Sequence, residues 1–258
     1  DLNKTYFNAE VNALDFDSPQ APATINGWVN ENTKGKIPTI VETIKREIVM
    51  FIINAIYFKG SWSSRFEAAN TKDDWFTLLD GSRKPCKMMN QEQKFKYFSN
   101  ADFQAIDLPY GDEDFSMTIF LPQAGKNIDD LISSFTQNNW GQWMQTLSLS
   151  KASKVYLSLP KFTLKYEVTL NDMLKALGMG IAFDSWLADF TRICKAGGLY
   201  IDAVKHKTFV EVNEEGTVAA AVTLVGMGVT SIPIPTMVRI DRPFIFAIRE
   251  TRSQTILF

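Results

Sequence analysis

Residues 216–238 read GTVAAAVTLVGMGVTSIPIPTMV, a run of 23 residues without a charged side chain. A membrane span needs about 20 predominantly apolar residues, but this run contains three glycines, two prolines, four threonines and a serine. A buried strand is usually about 5–6 residues long, and the run is far longer. We therefore interpret it as an exposed loop with the composition of a strand.

An exposed loop of this composition is a hazard, because its free backbone groups can pair with any sheet edge. Natural proteins usually interrupt such runs with charged residues. Within the run, alternate positions from Thr217 to Val225 would share one face of a strand, and most of them are small. The pattern indicates that this segment functions by adding to a β-sheet as a strand.

The composition of the whole chain excludes several function classes. Apolar residues make up 45% of the 258 residues, which predicts a folded protein. The 27 basic and 29 acidic residues give a net charge of −2, which argues against nucleic acid or a membrane surface as a partner. The single histidine, His206, excludes paired-histidine zinc sites, and no nucleotide-binding or nucleophile-elbow motif is present. We therefore expect a protein that is not an enzyme.

The pattern of apolar residues predicts more strands than helices. Residues 48–53 suit a strand buried on both faces, and Asp80-Gly81 and residues 110–114 suit hairpin turns. The spacing of Leu170, Met173, Leu174 and Leu177 predicts an amphipathic helix over 167–177. Further helices are predicted over 21–32 and 128–135, and further strands over 75–79, 84–89, 103–108, 115–121, 155–164, 200–213, 243–249 and 255–258. Strands that do not alternate with helices indicate an α+β fold with mixed or antiparallel sheets.

Residues 210–222, VEVNEEGTVAAAV, closely resemble the reactive-loop hinge of the serpins. Further segments that resemble serpin motifs are NAIYFKGSW at 54–62, LPKF at 159–162, ADF at 188–190, GLY at 198–200 and DRPF at 241–244. These segments are spread over nearly the whole chain and are jointly specific. The resemblance implies the serpin fold, with a large central mixed β-sheet A, β-sheets B and C, surrounding helices and an exposed reactive-centre loop at about 214–235. It also implies one serpin domain over 1–258, lacking the first helices and the end of the last strand.

In serpins, a target protease cleaves the exposed loop and forms an acyl-enzyme with it. The loop then inserts into sheet A and leaves the protease trapped in a covalent complex; strand addition of this kind is a known recognition mode. Counted from Gly216, the family spacing implies a scissile bond between Thr230 and Ser231, with Met227 and Leu224 as alternative cut sites. Thr230 preceded by Val229 predicts a protease with a small apolar S1 pocket, elastase-like or subtilisin-like.

The resemblance also assigns the residues that would permit insertion. The hinge comprises Glu214, Glu215, Gly216, Thr217, Val218, Ala219, Ala220, Ala221 and Val222. Val218 and Val222 depart from the glutamate and alanine usual in the family, which leaves substrate-like behaviour open. Trp62, Lys161 and Glu214 match the breach, where the loop first enters the sheet, and a Lys161–Glu214 ion pair is expected there. Asn54 and His206 match the shutter, a polar cluster under the sheet.

The resemblance implies a serine protease as covalent partner, a monomeric state, and no cofactor or metal. It favours an extracellular or secreted location, with an intracellular one left open. Two alternatives to inhibition of serine proteases remain: a non-inhibitory carrier or chaperone, and cross-class inhibition of papain-like cysteine proteases.

Overall fold

A computed structural model of the chain describes residues 5–6, 9–216 and 236–258. They form two compact units, Asp1–Tyr57 with Leu164–Phe209, and Phe58–Thr163 with Val210–Phe258. The single domain over 1–258 stays a prediction. The helices are α1 Ala21–Asn32, α2 Ile128–Ser133, α3 Gln137–Leu149 and α4 Asn171–Leu174, with single turns at Ala68–Asn70, Lys175–Met179 and Gly180–Phe183. The strands are β1 Phe51–Tyr57, β2 Lys72–Thr77, β3 Arg83–Ser99, β4 Phe103–Tyr110, β5 Phe115–Pro122, β6 Ser153–Pro160, β7 Phe162–Thr169, β8 Ala203–Val212, β9 Thr236–Arg239 and β10 Ile245–Glu250.

The first unit is built on a sheet with the strand order β1-β8-β7. β1 and β8 pair in parallel, from Phe51 opposite Ala203 to Tyr57 opposite Phe209. Helix α1 and the segment after it form a core cluster that includes Val29, Ile37, Ile40, Val41 and Phe209. Parallel pairing between strands that are distant in sequence is one of the two kinds of pairing that a mixed sheet contains.

One prediction for the first unit is wrong, and another is right only in part. β1 begins at Phe51 and consists of half-buried and exposed residues, so it is not buried on both faces. The first residues of the predicted helix over 167–177 belong to β7, which continues to Thr169. The rest of that segment is helical, because Asn171–Leu174 forms α4 and runs directly into the helical turn Lys175–Met179. Pairing of β7 in the sheet therefore overrides the helical spacing only at the start of the segment, where tertiary contacts outweigh local propensity.

The second unit contains a larger sheet with the order β10-β5-β4-β3-β6-β9, and β2 pairs with β3. Its strands pair antiparallel except for β6 and β9, which are parallel. Both predicted hairpins are present: β2 and β3 flank Asp80-Gly81, and β4 and β5 flank residues 111–114. Helices together with antiparallel and mixed sheets confirm the α+β class.

A buried ion pair lies within this larger sheet. Arg249 Nη2 lies 2.8 Å from Asp107 Oδ1, and the side chains are 6% and 11% exposed. The hydroxyls of Ser116 and Thr118 also donate to Asp107 Oδ1, at 2.9 and 2.7 Å. Hydrogen bonds of this kind to an ion pair are what makes a buried charge tolerable.

Among the residues that the structure describes, no helix has the length and apolar character needed to cross a membrane.

Candidate functional site

A tight turn at residues 213–216 follows β8 and leads into the charge-free run. Asn213 and Gly216 exchange backbone hydrogen bonds of 3.1 and 3.2 Å. The Asn213 side-chain oxygen accepts from the backbone N–H of Glu215 at 3.0 Å. Asparagine often closes turns in this way, because its side chain mimics a backbone acceptor. This geometry, which we call the 213–216 turn, fixes where the run begins.

The 213–216 turn is docked on residues 60–66 of the same unit. The backbone N–H groups of Trp62 and Phe66 donate to the carbonyls of Glu215 and Glu214, each at 3.0 Å. The indole N–H of Trp62 donates to the carbonyl of Asn213 at 2.9 Å. Trp62 is only 3% exposed and stacks on Tyr110 with ring centroids 4.4 Å apart. The indole of buried Trp62 and the backbone N–H groups of Trp62 and Phe66 therefore hold the turn through three hydrogen bonds.

Glycine is required at position 216 because the turn lies against another backbone. The φ angle of Gly216 is 121°, in the region that favours glycine. A Cβ there would lie 2.4 Å from the Gly60 carbonyl oxygen and 2.6 Å from the Trp62 nitrogen. Both are backbone atoms, so no side-chain rotation can relieve the clash. The close approach explains the glycine at the start of the loop.

The predicted breach residues are brought together. Lys161 Nζ lies 2.7 Å from Glu214 Oε2, and the Thr71 hydroxyl donates to Glu214 Oε1 at 2.8 Å. Desolvation by burial would raise the pKa of Glu214, but hydrogen bonds from Lys161, its own backbone and Thr71 outweigh it and lower the pKa. The carboxylate is therefore held charged at the first residue after Asn213. The predicted ion pair is present, and its role in restraining the loop stays a prediction.

The predicted shutter pair is also in contact, within the first unit. Asn54 on β1 lies opposite His206 on β8, and His206 Nδ1 lies 2.9 Å from Asn54 Oδ1. Because an amide oxygen only accepts, Nδ1 carries the proton in this contact. Desolvation lowers the pKa of His206, which keeps the imidazole neutral near pH 7. This bond joins the two parallel strands at their middle.

The remaining predicted site residues lie outside the described residues. They are Thr217, Val218, Ala219, Ala220, Ala221 and Val222 of the hinge, and Thr230 and Ser231 of the proposed scissile bond. The chain is described again from Thr236, where β9 pairs in parallel with β6.

Two residues of the site escaped prediction from the sequence. Asn213 carries a recognisable signal, because Asn followed by Gly three residues later is typical of a turn. Thr71 has no such signal: it is 143 positions from Glu214 and its contact depends on tertiary structure. Over the described ranges, no group of three or more His, Cys, Asp or Glu side chains is placed to hold a metal ion.

Comparison with known proteins agrees with this geometry. The family model described as "Serpin (serine protease inhibitor)" matches residues 1–258. Leukocyte elastase inhibitor from Xenopus laevis is 36% identical over 270 residues, with 99% of this chain and 69% of that protein covered. The chain spans about two thirds of the length of this relative and of two other curated relatives, from 66% to 69%.

Solved structures are similar over nearly all of the chain. The native state of the thermophilic serpin Tengpin has a TM-score of 0.85 and 33% identity, covering 96% of this chain and 64% of that one. Human thyroxine-binding globulin with bound hormone has a TM-score of 0.87 and 25% identity, covering 99% and 67%. These likenesses confirm the predicted serpin fold. The chain belongs to the serpin family, a family of protease inhibitors and not of enzymes.

Proposed function

We propose that this chain acts as a suicide-substrate inhibitor of serine proteases. The protease serine Oγ attacks the carbonyl carbon of Thr230, and the bond to the Ser231 nitrogen breaks. The amine leaves with a proton, and Thr230 remains as an ester on the enzyme. The amino-terminal part of the cut loop then inserts between β1 and β8, and deacylation stalls.

The observation that carries the proposal is the direct parallel pairing of β1 and β8. The loop begins at the carboxyl end of β8, so it must turn back and run antiparallel to both strands. A strand inserted between two parallel strands pairs antiparallel with each, and antiparallel ladders are slightly the more stable per residue. The docked 213–216 turn lies at the point where such a strand would begin.

The expected target has a small apolar S1 pocket, elastase-like or subtilisin-like. Thr230 and the preceding Val229 are small or β-branched, whereas a trypsin-like enzyme requires Arg or Lys. The similarity to a protein named leukocyte elastase inhibitor supports this choice. The proposal includes a monomer, a covalent protease complex and an extracellular location, with an intracellular one as the alternative.

The test is incubation of the intact protein with elastase or subtilisin, followed by a denaturing gel and mass spectrometry of the released fragment. We expect an SDS-stable complex and a cut after Thr230. Thr230→Arg is the matched variant and should lose the complex with elastase while gaining one with trypsin. Papain in a parallel arm tests cross-class inhibition. Quantitative cleavage by elastase and subtilisin without any complex would contradict the proposed inhibition.

Thyroxine-binding globulin, a protein whose structure contains bound hormone, supports a second candidate, a non-inhibitory carrier. A carrier need not insert its loop. Thermal melting before and after loop cleavage separates the two functions, because insertion should raise the melting temperature and a loop that stays in solvent should not.

A further inference from the structure

Asp202 connects the starting ends of β1 and β8 beyond the strand ladder. It precedes β8 by one residue, and its Oδ2 accepts from the backbone N–H groups of Val49 and Met50 at 2.7 and 3.2 Å. The backbone N–H of Asp202 also donates a hydrogen bond to the Met50 carbonyl, with an N···O distance of 3.4 Å. One half-buried carboxylate therefore holds two consecutive amides of the segment that leads into β1.

The position of Asp202 is itself fixed by neighbouring residues. The Asn171 side chain donates to the Asp202 carbonyl at 2.7 Å and accepts from the Val204 N–H at 2.9 Å. Charge repulsion from Asp202 is the largest cause that raises the pKa of Tyr200. Asp202 thus belongs to a small polar cluster that anchors it on the β8 side of the strand pair.

These contacts cannot coexist with a strand between β1 and β8. Neighbouring strands lie about 4.8 Å apart, so an inserted strand would separate β1 and β8 by about 9–10 Å. A carboxylate oxygen lies within about 3.6 Å of its own Cα, and a hydrogen bond adds about 2.9 Å. Asp202 would therefore fall short of Val49 and Met50 once insertion had reached its level.

The proposed loop is long enough to reach that level. Residues 217–230 number 14, and β8 has 10 residues. Because the loop begins after the carboxyl end of β8, an inserted strand would arrive last at the amino-terminal ends of both strands. The Asp202 contacts would thus oppose the end of insertion and not its beginning.

We propose that Asp202 is a closing restraint of the strand pair, which stabilises the closed sheet selectively and slows the completion of loop insertion. This inference rests on the proposed inhibitory function. It gives Asp202 a role distinct from those of Glu214, at the start of the loop, and His206, at the middle of the strands.

The chain offers a matched control in Asp184. Its Oδ1 also accepts from two successive backbone amides, those of Trp186 and Leu187, at 2.8 and 3.0 Å. Those contacts are local, within three residues, and do not join β1 to β8. Asp202→Ala and Asp184→Ala therefore remove the same chemistry, and only the first removes it from across the strand pair.

The experiment compares both variants with the unmodified full chain, in the intact and the loop-cleaved forms. We expect Asp202→Ala to lower the melting temperature of the intact form only, and to bring the number of inhibitor molecules consumed per trapped protease closer to one. Exchange of the Val49 and Met50 amides in the intact form should accelerate about tenfold to a hundredfold. Asp202→Asn, which keeps one acceptor, should give an intermediate result.

Two results would overturn the inference in distinguishable ways. If Asp202→Ala lowers the melting temperatures of intact and cleaved forms equally, as Asp184→Ala should, Asp202 is only a structural residue and the proposed inhibition stands. If the unmodified chain gains no stability on cleavage and forms no complex, the proposed function fails and the restraint on insertion fails with it.

Discussion

Replacing Gly216 by alanine tests the docking of the 213–216 turn most directly. The added Cβ would lie 2.4 Å from the Gly60 carbonyl oxygen and 2.8 Å from the Ser61 Cα. Contacts under 3.0 Å to backbone atoms cannot be relieved by a change of rotamer. We therefore expect the turn to move away from residues 60–66 while the strands of the unit remain folded.

The expected loss follows from the three hydrogen bonds that hold the turn. The backbone N–H groups of Trp62 and Phe66 and the indole of Trp62 all donate to carbonyls of residues 213–215. At about 0.5–1.5 kcal/mol for each bond, undocking lowers the free energy of local opening by about 1.5–4.5 kcal/mol. Since about 1.4 kcal/mol is a factor of ten, amide protection should fall by about tenfold to a thousandfold.

Native-state hydrogen exchange at the Trp62 and Phe66 amides measures this loss. Gly81→Ala is the control, because Gly81 also has a positive φ, 81°, but nothing within 4 Å of an added Cβ. It should cost about 1–2 kcal/mol of backbone strain in its own hairpin and leave both amides unchanged. Protection in Gly216→Ala within a factor of about three of the unmodified chain would refute the reasoning.

Three further predictions concern charged and titrating groups. Glu214→Gln should lower the free energy of unfolding by about 0.5–1.5 kcal/mol at pH 7, because the side chains of the ion pair are 15% exposed at the glutamate but 38% exposed at the lysine. Since the folded pKa of Glu214 is lowered, this stability is present above the unfolded pKa of 4.5 and lost as pH falls through the folded pKa. Urea unfolding at several pH values should therefore show a weaker loss of stability at acid pH for the variant. His206 should titrate below pH 6.5 in an NMR titration, because burial lowers its pKa. Its contribution to the free energy of unfolding is then present above pH 6.5 and lost as pH falls toward the folded pKa. A measured pKa at or above 6.5 would contradict this prediction. Asp107→Asn should cost about 3–5 kcal/mol in urea unfolding, because it leaves Arg249 buried without its counter-charge. Asp102→Asn, which removes a surface pair 49% and 69% exposed, should change stability by less than about 1 kcal/mol.

Local patterns were sufficient for the hairpins and for the first helix. Asp80-Gly81 and the polar residues at 111–114 are strong turn signals, and both hairpins form where they are expected. Helix α1 ends before Gly35, whose N–H donates back to the Asn30 carbonyl. These elements depend on residues that are close together in sequence, and local sequence patterns are therefore enough to predict them.

Local sequence patterns failed to predict the secondary structure where tertiary contacts compete with helix propensity. Helix α3, Gln137–Leu149, was not predicted, because its first residues, QNNWG, include poor helix formers. The Thr136 cap and packing of Met144 and Leu147 in an aromatic cluster stabilise it instead. At 167–169 the error is the reverse, because β7 extends into the first residues of a segment predicted as a helix.

By itself, the sequence determined the charge-free run and the family to which the run belongs. Only the tertiary structure decided that β1 and β8 are direct parallel neighbours, with Asn54 opposite His206, and that Asp202 holds their starting ends together. These contacts join residues about 150 positions apart. The register of two distant strands depends on pairing energy along their whole length, and no short stretch of sequence encodes it.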